Sequence, residues 1–335
     1  MAKRGTSLID LEEAFQSEND CHAYLEAIRW PNGVRCLKCG GDRVKTIITN
    51  DTKRMRFSKK QGKAVEVRVP GRRLYQCNSA GCRHQFSATT GTLFTDTHLP
   101  LKTWFKAVAL ICNAKKGISA LQTLRDLGVH NKTAWFLNHR IREAMQQEGG
   151  IFGGQVEMDE TYVSRVPETG LKQPIIGVFQ RKEQDQPAKI QTFPIPNRSR
   201  QVLAHVVSER VAPDAKIFTD EWSGYRHLKH SHDHAIVIHS KGEYVNGLAH
   251  TNNLESFWGV FKRGLIGSFH FVSVKHLQRY LNEFAFRFNN KDAEDLFLLV
   301  VVNLVIGSAL RYKVLIAEPA KTSPALPEPS PDEPF

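Results

Sequence analysis

Two pairs of cysteines, Cys36-Leu37-Lys38-Cys39 and Cys77-Asn78-Ser79-Ala80-Gly81-Cys82, stand on either side of a β-rich segment. Two thiolate knuckles of this kind are the ligand pattern of a zinc ribbon, because zinc takes four soft or borderline donors in a tetrahedron. His84 is the alternative to Cys82 as the fourth ligand. Cys21 and Cys112 lie outside the pattern and read as core residues. Farther along, residues 250–263 carry Leu254, Phe257, Trp258 and Phe261 at the spacing of a helix that buries one face. Glu255 and Lys262 project from nearly the same side of that helix, two turns apart. A carboxylate and a cation placed side by side suit a metal ion and a phosphate. The plainer reading makes Asn252 an N-cap, Glu255 its capping-box partner and Lys262 a solvated charge.

The elements that must position these residues follow from the pattern. Residues 7–30 read as helical, with Ser17 and Asp20 resembling a cap and Pro31-Asn32-Gly33 as the stop. Residues 31–98 form the ribbon, and residues 99–150 form helices over 100–114, 118–127 and 131–147. The turn at Gly128, with Asn131 as a cap, reads as a helix-turn-helix or as a plain bundle linking two domains. Gly149-Gly150 and Gly153-Gly154 mark a boundary. Strands are predicted over 155–163, 175–179, 189–195, 215–219 and 235–238, with a helix over 199–210 between the third and fourth. The fold class is therefore α/β. Residues 151–312 carry the element order of an RNase H-like domain, a mixed five-stranded sheet with helices. In that order the first and fourth strands are neighbours, and strand ends are where sites form.

Asp159 falls in the first strand and Asp220 at the end of the fourth. The Glu255 helix packs on the same edge, so three carboxylates converge. Unpaired anions brought together repel, so the set implies a cation. Hard oxygen donors select Mg²⁺ or Mn²⁺, and two such ions suit in-line phosphoryl transfer. Asp159 has rivals in Glu157 and Glu160, and Asp220 has the competing role of capping a helix over 221–227.

Composition narrows the partners. The chain has 335 residues, a formal net charge of +12 and a pI of about 9.4, which favours nucleic acid or anionic lipid. Thirteen Lys or Arg lie between Arg35 and Arg73 against three acids, so phosphate-backbone contact is expected there. No apolar run is long enough to span a bilayer, and the longest, residues 296–310, reads as a buried helix. The N-terminus lacks a signal peptide, so a cytoplasmic, nucleoid-associated protein without disulfides is expected. Residues 318–335, rich in Pro, Ser, Glu and Ala, read as a disordered tail, and the whole segment 313–335 is assigned to it.

Across roughly residues 15–312 the sequence resembles the DDE-type transposases of bacterial insertion sequences, in the ISXO-like branch with an N-terminal zinc ribbon. The resemblance rests on Arg29-Trp30-Pro31-Asn32-Gly33, the first knuckle, Gln85-Phe86-Ser87 through Gly91-Thr92, and Met158-Asp159-Glu160-Thr161-Tyr162. It continues in Thr219-Asp220-Glu221, His250-Thr251-Asn252-Asn253-Leu254-Glu255-Ser256-Phe257-Trp258, Lys262-Arg263-Gly264 and the run from Lys275 to Tyr280. It implies Asp159, Asp220 and Glu255 as catalytic Mg²⁺ ligands, and Cys36, Cys39, Cys77 and Cys82 as zinc ligands. It also implies Lys262 and Arg263 as contacts to the DNA of the element ends. Some members carry Asn in place of the third acid; here Asn252 and Asn253 stand beside Glu255. The expected activity is metal-dependent cleavage at the terminal inverted repeats and transfer of the 3′-hydroxyl to target DNA, by a homodimer or larger assembly. A catalytically inert DNA-binding regulator and a nuclease without strand transfer are the alternatives.

Overall fold

The computed structural model describes residues 6–49, 52–58, 62–69, 72–165, 172–183, 186–237 and 250–317. Two compact units divide the chain, one built mainly on Ser7–Lys106 with Leu298–Leu310, the other on Ala107–Phe297.

The first unit begins with two short helices, α1 (Leu8–Ala14) and α2 (Glu18–Arg29), each opened by a reciprocal serine–aspartate capping box. The box at Ser17 and Asp20 is the one the sequence suggests; Ser7 and Asp10 supply the other. Strands β1 (Val44–Thr49), β2 (Thr52–Ser58), β3 (Lys63–Val69), β4 (Arg72–Cys77) and β5 (Gln85–Phe86) follow. β1, β4 and β5 form an antiparallel sheet, and β2 and β3 form a separate two-stranded antiparallel sheet among the described residues. Lys53, Arg54 and Arg56 are exposed on that hairpin, as are Met55 and Phe57. The ribbon's small core holds Tyr75, Phe86 and two cysteines, with Trp30 packed edge-on against both rings. Arg29 explains its own place in the sequence pattern: its guanidinium donates to the carbonyls of Ser87, Ala88 and Thr90. Cys21 is fully buried, as expected of a core thiol.

Next come α3 (Leu101–Asn113), α4 (Ala120–Leu127) and α5 (Asn131–Ala144). The helix–turn–helix outline is present, but His130 occupies the cap position and Asn131 is the first helical residue. α4 and α5 share a buried hydrogen bond from Asn138 to Thr123. Most of α5 beyond Phe136 is buried, so its first turn, Asn131 and Lys132, is the part that faces solvent.

In the second unit lie β6 (Gln155–Arg165), β7 (Lys172–Gln180), β8 (Lys189–Pro194), α6 (Arg200–Arg210), β9 (Lys216–Thr219) and β10 (Asp233–Ile236). Their order across the sheet is β10-β9-β6-β7-β8. β6 pairs antiparallel with β7 and parallel with β9, so the predicted first and fourth strands are neighbours. β10 lies two residues earlier than expected, and Ile238 falls outside the described residues. α7 (Asn252–Gly264) runs into a π-helical turn at Leu265–Phe269, then α8 (Val274–Asn289), α9 (Leu296–Ile306) and α10 (Tyr312–Ile316). α10 occupies part of the segment read as tail; residues 318–335 lie outside the described residues. Among the described residues no helix is long and apolar enough to cross a membrane.

Both faces of the sheet are covered. Val156, Met158, Ile176 and Val178 pack under α6 and the 3₁₀ segment Ser223–His230. Val163, Ile175 and Phe179 pack under α7 and α8, through Leu254, Phe257, Trp258 and Phe261. The four apolar positions of the Glu255 helix are thus all buried, as their spacing requires.

Candidate active site and metal centre

The sulfurs of Cys36, Cys39, Cys77 and Cys82 all lie within 4.8 Å of one another. Cys36 and Cys82 are 3.6 Å apart, as are Cys39 and Cys77. Four sulfurs about 2.3 Å from a central zinc would stand about 3.8 Å apart, so the cluster fits the ion. Hydrogen bonds from the Ser79 hydroxyl and backbone lower the Cys77 thiol to about 6. A hydrogen bond from the His84 backbone favours ionisation of Cys82, yet burial and the other three cysteines push it up to about 12. Four thiols that cannot all ionise alone can do so around a divalent cation. Cys82 is the fourth member of the group; the His84 ring stacks on Phe86 instead.

In the sheet unit, β6 places Asp159 on the face covered by α7, half-buried. Asp220 directly follows β9, and Glu255 lies exposed in the first turn of α7. Burial, then the charges of Glu160, Asp220 and Glu255, push the Asp159 carboxyl up to about 7. Asp159 thus lies within electrostatic reach of the other two predicted acids. Among the described residues, only the four cysteines gather one ligand atom each within 4.8 Å. Lys262 and Arg263 are exposed in the last turn of α7. That turn lies about 10 Å along the helix axis from Glu255.

Asp220 does not cap an α-helix. Its Oδ1 accepts the N–H of Trp222 at 3.0 Å, and the segment that follows is the 3₁₀ turn Ser223–His230. Nor does Asn252 cap α7: Thr251 holds that position without a side-chain bond to a backbone N–H, and its hydroxyl donates to Glu255 at 3.3 Å.

The cap comes from another strand. Glu157, fully buried in β6, accepts the N–H groups of Asn253 at 3.2 Å and Leu254 at 3.4 Å. A carboxylate at a helix N-terminus meets both the unpaired amides and the positive end of the dipole. Glu157 also accepts the Asn253 side-chain amide at 2.7 Å and pairs with Arg181 at 2.7 Å, and His250 Nδ1 lies 3.3 Å away. Arg181 in turn donates to the His250 carbonyl. This network, which the sequence reading missed, ties the first turn of α7 to the strand that carries Asp159. A second constraint is Gly177, opposite Asp159 in the β6–β7 register. A Cβ there would come within 2.6 Å of Leu254 and 2.8 Å of Trp258, so only glycine lets α7 lie this close to the sheet.

Glu160 points to the other face. The Tyr225 hydroxyl donates to it in a short hydrogen bond. Burial raises its carboxyl to about 7, against the lowering effect of that bond and with a further push from Asp220.

Comparison with known proteins matches the same two regions. The ISXO2-like transposase domain matches residues 151–289, and the transposase zinc-ribbon domain matches residues 16–85. A protein described as uncharacterized in transposable element ISH50 of Halobacterium salinarum is 27% identical over 306 residues, covering 82% of this chain and 92% of the relative. An uncharacterized transposase-like protein of Haemophilus influenzae is 28% identical over 120 residues, covering 36% of this chain and 96% of the relative.

Proposed function

The chain belongs to the ISXO2-like transposases, and on that footing we propose that it cuts DNA at the ends of an insertion sequence and joins the freed 3′-hydroxyl to target DNA. The observation that carries the reading is placement: Asp159 lies on β6, Asp220 directly follows the neighbouring β9, and Glu255 sits in the first turn of α7, while burial, then the charges of Glu160, Asp220 and Glu255, push the Asp159 carboxyl up to about 7. Anions held together by a fold in this way suit a hard divalent cation. The sheet order, with β6 between β7 and β9, supports an RNase H-like domain around that centre.

Asp159 and Asp220 would hold Mg²⁺ or Mn²⁺, with Glu255 completing the set. When bound, two such ions supply activation of the attacking water or 3′-hydroxyl and stabilisation of the leaving oxygen. The protein's own part is positional. Glu157 and Arg181 fix the first turn of α7, and with it Glu255. Lys262, two turns on, would hold a phosphate of the element end, and Arg263 beside it would add a second cation. The basic hairpin β2–β3, with Lys53, Arg54 and Arg56 exposed, would add contacts to the DNA backbone. Two ends must meet for an element to move, so the working form would be a homodimer or larger assembly on DNA.

A strand-transfer assay tests this reading. A labelled element end still joined to flanking DNA is incubated with Mg²⁺ and supercoiled target. Joined product is expected. Cut product alone would assign a nuclease, and tight binding without cleavage would assign an inert regulator.

A further inference from the structure

Trp222 is a large apolar ring left 38% exposed beside the carboxylate centre, yet it is held on several sides. Its backbone N–H donates to Asp220 at 3.0 Å. Its indole N–H donates to the Arg198 carbonyl at 3.4 Å, and the Arg198 guanidinium lies 4.1 Å from the ring centre. The pyrrole edge rests on Gly224, where a Cβ would come within 2.8 Å of the indole nitrogen. A single exposed tryptophan on a surface is ordinary; one fixed by its backbone, its N–H, a cation and a glycine is not.

Arg198 also lies 5.0 Å from the ring of Tyr162, which is 40% exposed on β6. A guanidinium is thus shared by two exposed aromatic rings, one of which is tied through its backbone N–H to Asp220. A guanidinium over an aromatic ring is held there by the ring's quadrupole, and any base can stack on such a ring because every base has a π-face. In DNA the bases of a duplex already stack on each other, so a lateral ring can meet the face of a base only where the base is unpaired. The net charge of +12 and Arg198 itself favour a polyanion as the molecule that carries that base.

We propose that Trp222, backed by Arg198 and Tyr162, is a stacking platform for an unpaired base of the DNA strand whose phosphate lies at the carboxylates. The inference rests on the DNA-processing function proposed above, and it assigns to the site a contact to a base beside its contacts to phosphate. Because the ring is already ordered, little freedom is lost when the base arrives.

The test compares two probes, a duplex with a short single-stranded oligothymidine tail and the same duplex with abasic residues in the tail. Affinities are measured for the full-length wild type, Trp222→Ala and Trp222→Phe, with melting curves to confirm folding. Stacking of one base should make the wild type favour the thymidine tail by about 5- to 150-fold. Trp222→Ala should lose that preference, and Trp222→Phe should keep most of it. Equal wild-type affinity for both tails, or an equal drop on both in Trp222→Ala, would overturn the platform while leaving Asp220-dependent cleavage intact. A wild type that binds neither probe would overturn the DNA reading itself, and the platform with it.

Discussion

The four sulfurs and the three carboxylates are built in opposite ways. The sulfurs come from two tight knuckles, stand 3.6 Å apart in pairs and close completely on one another. The carboxylates come from a strand, a strand end and a helix, and among the described residues they form no closed group of ligand atoms like that of the sulfurs. On the function proposed above, the contrast is the one between a structural ion, which needs every position filled by protein, and a reactive centre, which must leave room for substrate. It also moves the burden of precision. In the ribbon the ligands position themselves through local turns. In the sheet unit the positioning falls to groups that are not ligands, Glu157, Arg181 and Gly177.

Removing a ligand from the closed set of sulfurs should have the largest effect. Cys77→Ser should release the zinc and unfold the ribbon, since binding energy of order 10 kcal/mol is folding energy in such sites. Zinc content should fall from one per chain to none, and amide protection between Cys36 and Phe86 should be lost. Retained protection with the metal gone would mean that the aromatic core at Tyr75 and Phe86 holds the ribbon alone.

Glu157→Gln should act at the open centre without touching a ligand. It removes the buried charge that pairs with Arg181, at a cost of about 3–5 kcal/mol. Thermal unfolding should report the loss, and cleavage should fall even at temperatures where the variant is folded. An unchanged melting curve would remove Glu157 as the anchor of α7.

Gly177→Ala is milder. The added methyl would press on Leu254 and Trp258, with an overpacking cost of about 1–3 kcal/mol. Because α7 carries Glu255, cleavage should drop by up to about a hundredfold while the fold persists, as small misplacements do in catalysis. Full activity would show that the distance of α7 from the sheet does not matter.

The smallest effect tests the helices beneath α7. His139 on α5 is fully buried, against His276 and Tyr280 of α8. Burial, then Arg142, His276 and Arg279, lower it to about 2 from an ordinary 6.5. The unfolded chain therefore binds the proton that the folded chain refuses. Stability is complete above the unfolded value and is lost as pH falls below it, by about 2 kcal/mol between pH 7 and pH 5 for one such group. Denaturant melts at the two pH values should show the loss, and His139→Leu should reduce it. An identical slope in the variant would assign the pH dependence elsewhere.

The ribbon was legible in the sequence because its ligands are close in the chain and of one rare type. The sheet was legible from its alternation and turns, and so was the buried stripe of α7. The division of labour among Glu157, Asp159 and Glu160 was not. β6 is the central strand, covered on both faces, so residues of both parities are buried and alternation cannot say which acid faces which layer. The cap of α7 departs from the sequence pattern for a related reason. Local spacing offered Asn252 and Glu255, while the actual acceptor is Glu157, 96 residues away from Asn253. The 3₁₀ turn after Asp220 follows from contacts that spacing does not encode, with Tyr225 bonded to Glu160 and Gly224 pressed by Trp222.

The function proposed here stands on Asp159, Asp220 and Glu255 acting together as a metal-dependent centre for DNA cleavage. Its most direct test is cleavage of a labelled element end in Mg²⁺ or Mn²⁺ by wild type and by Asp220→Asn, with DNA binding measured alongside. The substitution keeps the shape of the side chain and removes one charge. Cleavage should fall by about a thousandfold or more, the scale of several kcal/mol of lost stabilisation, with DNA binding retained. Cleavage that persists at the wild-type rate would contradict the account.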